Sequence, residues 1–411
     1  MPWNEVDVQE QRMRFVMRAF GRKERMSALC REFGISRPTG YLWLRRYQRT
    51  HSLRALQEQS RRPQRSPRKT AEAKEQRVVA LRQETGWGAK KLRVLLAEEQ
   101  LALPVRTIHR ILERRGLIGE ASHGAALERF ERSAPNELWQ MDSKGKYPLS
   151  DGACHPLSIL DDHSRFVVGL YALRSLTAEL AYAGLLDTFR RYGVPEAMLM
   201  DRGSLWWATA NGWGLTWLSV RLIEQGIRLI YGRVAHPQTQ GKVERFHRTL
   251  GAELRHRGVP QQFAQWPAAL ADIEFQYNHR RPHEALGMQR PVECYRPSAL
   301  RYQERVPPWE YPVGSDVRRV NANGAIAEAG RKWFVCEALA GHSVRVEYFD
   351  EKLLVSFRHM YIREIDVQRG TTQALVVARE ATNAEPAPVA LRAPCAGSAD
   401  QKTNERQKSK V

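Results

Sequence analysis

Three acidic residues, Asp142, Asp201 and Glu244, form the set in this chain best able to do chemistry. Asp142 closes the short apolar run Leu138-Trp-Gln-Met-Asp142, and Asp201 closes Pro195-Glu-Ala-Met-Leu-Met-Asp201. Both runs read as strands, so each carboxylate is expected at a strand's C-terminal tip. Tips of neighbouring strands converge over one sheet edge, and rigid strands fix their separation. Glu244 lies in Gly241-Lys-Val-Glu-Arg-Phe-His-Arg-Thr-Leu250, a helix that follows the chain-breaking His236-Pro-Gln-Thr-Gln-Gly241. A helix begun there carries Glu244 across the same edge. Carboxylates are hard ligands that suit Mg²⁺, with Mn²⁺ able to substitute, and not zinc. Two such ions, about 3.5–4 Å apart, activate an attacking oxygen and stabilise a leaving one in phosphodiester chemistry. One carboxylate must then bridge the pair, and Asp142, on the expected central strand, is the candidate.

The elements that must position these groups are an α/β layer. Pro156-Leu-Ser-Ile-Leu160 and Phe166-Val-Val-Gly-Leu-Tyr171 read as strands around the turn Asp161-Asp-His-Ser-Arg165. Residues 178–192 read as a helix closed by Gly193, and 227–231 as a further strand. Three strands, then helix, strand, helix or loop, strand and helix make a mixed sheet flanked by helices over 135–300. Asp161 and Asp162 sit at the wrong end of their strand to join Asp142 and are read as structural. The stretch 205–217 carries Trp206, Trp207 and Trp213, either for stacking on unpaired bases or as an apolar flap packed on the core. His236 and His247 read either as assistants to phosphate or water or, more simply, as helix-surface contacts to DNA. Asn278, Arg281 and His283 read as builders of the end of the core or as contacts to a nucleic-acid backbone.

Upstream, the pattern is helical. In 1–57, Met13, Val16, Met17 and Phe20 share one helical face, and a helix stopped by Gly34 precedes a second helix over 37–47 with Ser36 as its cap. Helix, glycine turn and a helix bearing Arg37, Thr39, Tyr41, Arg45 and Arg46 make a helix-turn-helix whose second helix fits a major groove. The alternative is an ordinary helical hairpin. Residues 58–69 form a Pro- and Arg-rich linker whose Arg61, Arg62, Arg65, Arg68 and Lys69 either track DNA or are merely solvated. Residues 70–120 read as a second helix-turn-helix, broken at Gly86-Trp-Gly88, that presents Arg106, Thr107, His109 and Arg110. Downstream, 310–366 alternates as hairpins of a small β-barrel with a turn at Asn323-Gly324, and 370–411 reads as a disordered tail.

Composition agrees with a polyanionic partner. The 65 Lys and Arg against 45 acidic residues give a net charge of +20, which favours phosphate backbones through counterion release. The five cysteines are scattered and lack a C-x-x-C pair, which argues against a disulfide framework or a structural zinc. No signal peptide or bilayer-spanning run is apparent, so a soluble cytoplasmic protein without membrane contact is expected.

Trp139-Gln-Met-Asp142, Met200-Asp-Arg-Gly203 and His236-Pro-Gln-Thr-Gln-Gly-Lys-Val-Glu244 resemble the three signatures of the integrase core of bacterial insertion-sequence transposases and retroviral integrases. Tyr277-Asn-His-Arg-Arg-Pro-His283 with Pro291-Val292 resembles the segment that closes that core in the transposases. The resemblance implies an RNase H-like fold, Asp-Asp-Glu catalysis, terminal inverted repeats as substrate, and a bacterial, nucleoid-associated enzyme. It implies a DDE transposase that hydrolyses the transposon ends and joins their 3′-OH groups to target DNA, as a homo-oligomer. Lys144, Arg202, Lys242 and Arg245 would neutralise phosphates near the metals. Arg248 matches the first of two basic positions that follow the glutamate, while Gly251 departs from the second. The zinc-binding amino-terminal domain of retroviral integrases is replaced by helix-turn-helix units. A catalytically idle DNA-binding regulator and an RNase H-like nuclease are the rival readings.

Overall fold

The computed structural model describes residues 8–58, 70–118, 131–208, 214–232 and 241–379. The chain divides into two compact units, Met1–Ala71 and Glu72–Val411.

The first unit consists of α1 (Val8–Phe20), α2 (Met26–Glu32), α3 (Arg37–Thr50) and a 3₁₀ turn, Leu53–Leu56. Ser36 caps α3 by accepting from the Thr39 N–H at 3.3 Å, and Pro38 sits in the first turn, where a missing N–H costs nothing. The core is Phe15, Val16, Leu29, Cys30, Trp43, Leu44 and Leu56. Gly40 lets α3 come close, because a Cβ there would meet Cys30 Sγ at 2.7 Å and Phe15 Cζ at 2.8 Å. The buried face of α1 is not the expected one. Met13, Met17 and Phe20 are exposed, and Arg12, Phe15, Val16 and Ala19 face inward with the same helical spacing, one residue earlier. Arg12 is tolerated there because its guanidinium lies 4.1 Å over the Trp43 ring and donates to the Leu56 carbonyl at 3.2 Å.

The second unit opens with α4 (Glu72–Thr85), α5 (Ala89–Glu98) and α6 (Val105–Arg114), which close on Val78, Leu81, Leu92, Leu96, Ile108 and Ile111. Then follow β1 (Trp139–Ser143), β2 (Tyr147–Leu149), β3 (Gly152–Asp161), β4 (Val167–Leu173), α7 (Ala178–Tyr192) and β5 (Ala197–Met200). After the two-residue strands β6 (Trp207–Ala208) and β7 (Gly214–Leu215) come α8 (Trp217–Glu224), β8 (Arg228–Tyr231) and α9 (Gly241–Arg257). Next, α10 (Trp266–Phe275) continues into a π-helical turn, Gln276–Arg280, and α11 (Pro291–Cys294) ends the region.

The sheet runs β2-β3-β1-β5-β8, with β4 also on β3. The β3 pairings are antiparallel, whereas β1–β5 and β5–β8 are parallel. Helices cover both faces. Trp139, Met141, Leu157 and Ile159 pack against α7 and α8, and Leu160, Val167 and Leu170 against α9 and α10. This double coverage is why the central strands read as continuous apolar runs. Asn278, in the π-helical turn, pairs with both backbone groups of Val167, each at 2.9 Å, where the β3–β4 register shifts.

The C-terminal strands are β9 (Asp316–Arg319), β10 (Ala325–Glu328), β11 (Arg331–Phe334), β12 (Ser343–Phe349), β13 (Lys352–Phe357), β14 (Met360–Asp366) and β15 (Thr371–Ala378). They form an antiparallel sheet, β15-β14-β13-β12-β9, beside a β10–β11 hairpin. Gly324, at φ 72°, makes the turn into β10, where a Cβ would clash with Glu337 N at 2.6 Å. Two expectations need correction. The barrel is not closed by pairing between β9 and β15 among the described residues, because β15 packs on β8 and the sheet shares its apolar core with the α/β layer. The tail assigned from 370 begins instead with the ordered strand β15, whose Thr and Val residues pair along β14. The linker cations Arg61, Arg62, Arg65, Arg68 and Lys69, and residues 380–411, lie outside the described residues.

Candidate active site

The two aspartates meet because of strand register. β1 and β5 are parallel neighbours, with Trp139 opposite Met198 and Gln140 opposite Leu199. Two residues beyond Gln140 and Leu199, the same register reaches Asp142 and Asp201. Asp142 Oδ1 accepts from the Ser143 N–H at 2.8 Å, and Asp201 Oδ1 from the Gly203 N–H at 3.0 Å. Burial pushes the Asp142 carboxyl up to about 6, with Asp201 and then Glu244 adding repulsion against the favourable Ser143 N–H. Asp201 and Glu244 thus both act on Asp142, although Glu244 is exposed in the first turn of α9.

The start of α9 is fixed by a buried polar chain. The Val243 N–H donates to Gln140 Oε1 at 3.2 Å, and Gln140 Nε2 donates to Asp162 Oδ1 at 2.8 Å. Asp162 also takes the Lys242 ammonium at 2.5 Å and the Arg132 N–H at 2.9 Å. Asp161 accepts from Asn136 N–H and Ser164 N–H at 2.7 Å, so both turn aspartates are structural, as expected. Gln140 was not singled out from sequence, although two-residue spacing from Asp142 along a strand puts both on one face.

The structure relocates several sequence candidates. Lys242 is 15% exposed and tied to Asp162, not turned to a phosphate, because its partner is a buried acid 80 residues away in sequence. His247 is buried rather than on the helix surface. Its Nε2 is 3.1 Å from Ser158 Oγ and its Nδ1 3.6 Å from Asp142 Oδ2, and burial together with Lys144 lowers its pKa to about 4. Trp206 and Trp207 are 4% and 5% exposed and join the core, so the flap reading holds for them; Trp213 and His236 lie outside the described residues. Arg46 is half-buried, 4.6 Å from the Trp43 ring, and Thr39 bonds the Ser36 hydroxyl. Arg37, Tyr41 and Arg45 on α3, and Arg106, His109 and Arg110 on α6 with half-buried Thr107, occupy outer faces. Arg202, Arg245 and Arg248 are exposed near the carboxylates in sequence. Lys144 lies over Gly251, where a Cβ would meet its Cε and Nζ at 3.3 Å.

Among the described residues no three His, Cys, Asp or Glu side chains converge closely enough to cage a metal ion. At this edge Asp201 and Glu244 repel the Asp142 carboxylate, and the groups present are hard oxygens. That donor set fits a divalent cation.

Two stretches, 132–237 and 225–291, match models of the integrase core domain; the first contains Asp142 and Asp201, the second Glu244. The chain carries an integrase core. Upstream of it, 11–64 match a helix-turn-helix domain and 39–112 a homeodomain-like domain. An integrase core behind such domains makes this a DNA-binding recombinase of the transposase/integrase type. Among solved structures, the chain is similar to the HTLV-2 integrase catalytic core domain in complex with magnesium, at 15% identity over 39% of this chain and 97% of that one, TM-score 0.31. It is also similar to the catalytic core domain of BIV integrase, at 25% identity over 39% and 93%, TM-score 0.30. The simian T-cell lymphotropic virus intasome in complex with PP2A regulatory subunit B56 gamma matches at 16% identity over 74% and 99%, TM-score 0.35. No described helix of the integrase-core protein is long and apolar enough to cross a membrane.

Proposed function

We propose that the protein is a DDE transposase that binds terminal inverted repeats, hydrolyses a phosphodiester at each transposon end, and joins the freed 3′-OH to target DNA by direct transesterification. The observation that carries this reading is the shared register of β1 and β5, which leads to Asp142 and Asp201 side by side, with Glu244 felt at the same carboxyl. Asp142, Asp201 and Glu244 would hold two Mg²⁺ ions, which when bound supply activation of the attacking oxygen and stabilisation of the leaving one.

The chain's own residues do the rest. Gln140, Asp162 and Lys242 hold the first turn of α9, and with it Glu244, against β1. His247, kept neutral by burial, borders Asp142 without competing for its charge. Lys144 supplies positive charge over Gly251, in the space a basic side chain of α9 would otherwise fill. Arg202, Arg245 and Arg248 are left to take DNA phosphates. Joining two ends at once calls for a homo-oligomer on DNA.

Purified protein, end-labelled inverted-repeat DNA, a target plasmid and Mg²⁺ test the reading together. Joined products are expected. Cleavage without joining would make the protein a nuclease, and binding without either a regulator.

A further inference from the structure

The second helix-turn-helix is locked onto the integrase core along α9. Trp87, in the break between α4 and α5, is buried, and its indole N–H donates to Glu253 Oε1 at 3.1 Å. The same oxygen takes Arg281 at 2.9 Å. Ion pairs Lys90–Glu284 at 2.7 Å and Arg290–Glu98 at 2.5 Å flank this centre. Positions on α5 and α9 are therefore fixed relative to each other.

Lys91 sits in this seam, half-buried at the start of α5. Arg281 and Arg245 act on it from one side of the charge balance, Glu284 and Glu253 from the other. Both carboxylates are already engaged, Glu253 by Trp87 and Arg281, Glu284 by Lys90. Among the described residues neither the Lys91 ammonium nor the Arg245 guanidinium has an acid or a hydrogen-bond acceptor of its own. Burial, then Arg281, lowers the Lys91 pKa to about 8. His283 acts in the same field, and its Nε2 is buried without a partner. A cavity of about 490 Å³ runs along the seam, lined by Arg82, Trp87, Lys91, Glu253, His256 and Arg281. A half-buried cation among cations, with its nearest acids spent, is costly until an anion arrives.

We propose that this seam binds the DNA backbone, with Lys91 and Arg245 taking phosphates of a duplex that runs from α6 toward the carboxylate edge. Arg245 directly follows Glu244, and Lys91 belongs to the same domain as α6, so the two cations bridge the recognition and chemical ends of the second unit. The proposal rests on the DNA-recombinase reading but not on strand transfer, and a binding measurement without divalent cations separates the two.

The full chain is titrated with a short fluorescein-labelled DNA duplex over a series of monovalent salt concentrations. Lys91→Met is expected to bind several-fold more weakly and to lower the slope of log K against log salt by about one. Its melting temperature is expected not to fall, since an uncompensated charge is removed and the apolar stem stays. Lys91→Arg is expected to keep the parental slope, and Arg245→Gln to lose a similar increment. A parental slope in Lys91→Met overturns the proposal. So does a shallower slope in Lys91→Met and Lys91→Arg alike with lowered melting temperatures, because the seam is then only a joint. Normal slope changes in a protein that never joins DNA would sink the transposase reading and leave the seam standing.

Discussion

In the first helix-turn-helix, Trp43 sits on α3 and faces inward, packed with Phe15 and Leu56 under the guanidiniums of Arg12 and Arg46. In the second, Trp87 sits in the break before α5 and reaches out of its own three-helix cluster to Glu253 of the integrase core. One tryptophan completes a small domain and the other couples a small domain to a larger one. Two units of the same local pattern are thus built for different mechanical roles. The first holds α3 by internal packing, whereas the second presents α6 from a frame shared with the carboxylates.

The largest expected effect that sharpens this contrast comes from exchanging the tryptophans for alanine. Each truncation is expected to cost about 3–5 kcal/mol. Trp43→Ala should shift only the melting transition of the first unit. Trp87→Ala should shift that of the second and impair strand transfer, since Glu253 and Arg281 lose their packing. Differential scanning calorimetry reads both, and a common transition lowered equally by the two variants would break the contrast.

Acid should next distinguish the two units. In the fold, burial, then Arg281 and Lys91, lower the His283 pKa to about 3, whereas the unfolded chain takes that proton near pH 6.5. A depressed histidine contributes nothing above the unfolded pKa and weakens the fold as pH drops below it. The second unit should therefore lose up to about 1.4 kcal/mol per pH unit from this group between pH 6.5 and 3. His283→Gln should flatten that part of a stability-against-pH curve, and an unchanged curve would show that His283 is not held neutral.

The smallest effect is local to the first unit. Ser36→Ala removes the acceptor for the Thr39 N–H and should cost about 1 kcal/mol. Chemical denaturation should show it in the first transition alone.

Much of this was legible in the sequence where local pattern decides the outcome. Residues 178–192 were set by a helical run closed by Gly193, Asp142 and Asp201 by apolar runs that end in a carboxylate, and Glu244 more by its motif and the chain break before it than by local structure. What escaped was set by distant partners. Glu253 stands 166 residues from Trp87, and Glu284 194 from Lys90, so nothing in either segment announces the docking of the second helix-turn-helix. Lys242 read as a phosphate ligand for the same reason, since its buried acid is remote in sequence. The inward face of α1 is hidden from periodicity because Arg12 breaks the apolar pattern, and only Trp43 and the Leu56 carbonyl make that residue a core member. β15 was lost among the polar residues that follow it, although Thr371–Ala378 is rich in β-formers and pairs along β14.

Asp142, Asp201 and Glu244 are proposed to act together on a phosphodiester. Strand transfer and DNA binding measured side by side for Asp142→Asn, Asp201→Asn and Glu244→Gln test it most directly. Each variant is expected to bind end DNA like the parent and to lose joined product by roughly a thousandfold or more, as groups acting as one unit do. Joined product at the parental level from any of the three would contradict the claim.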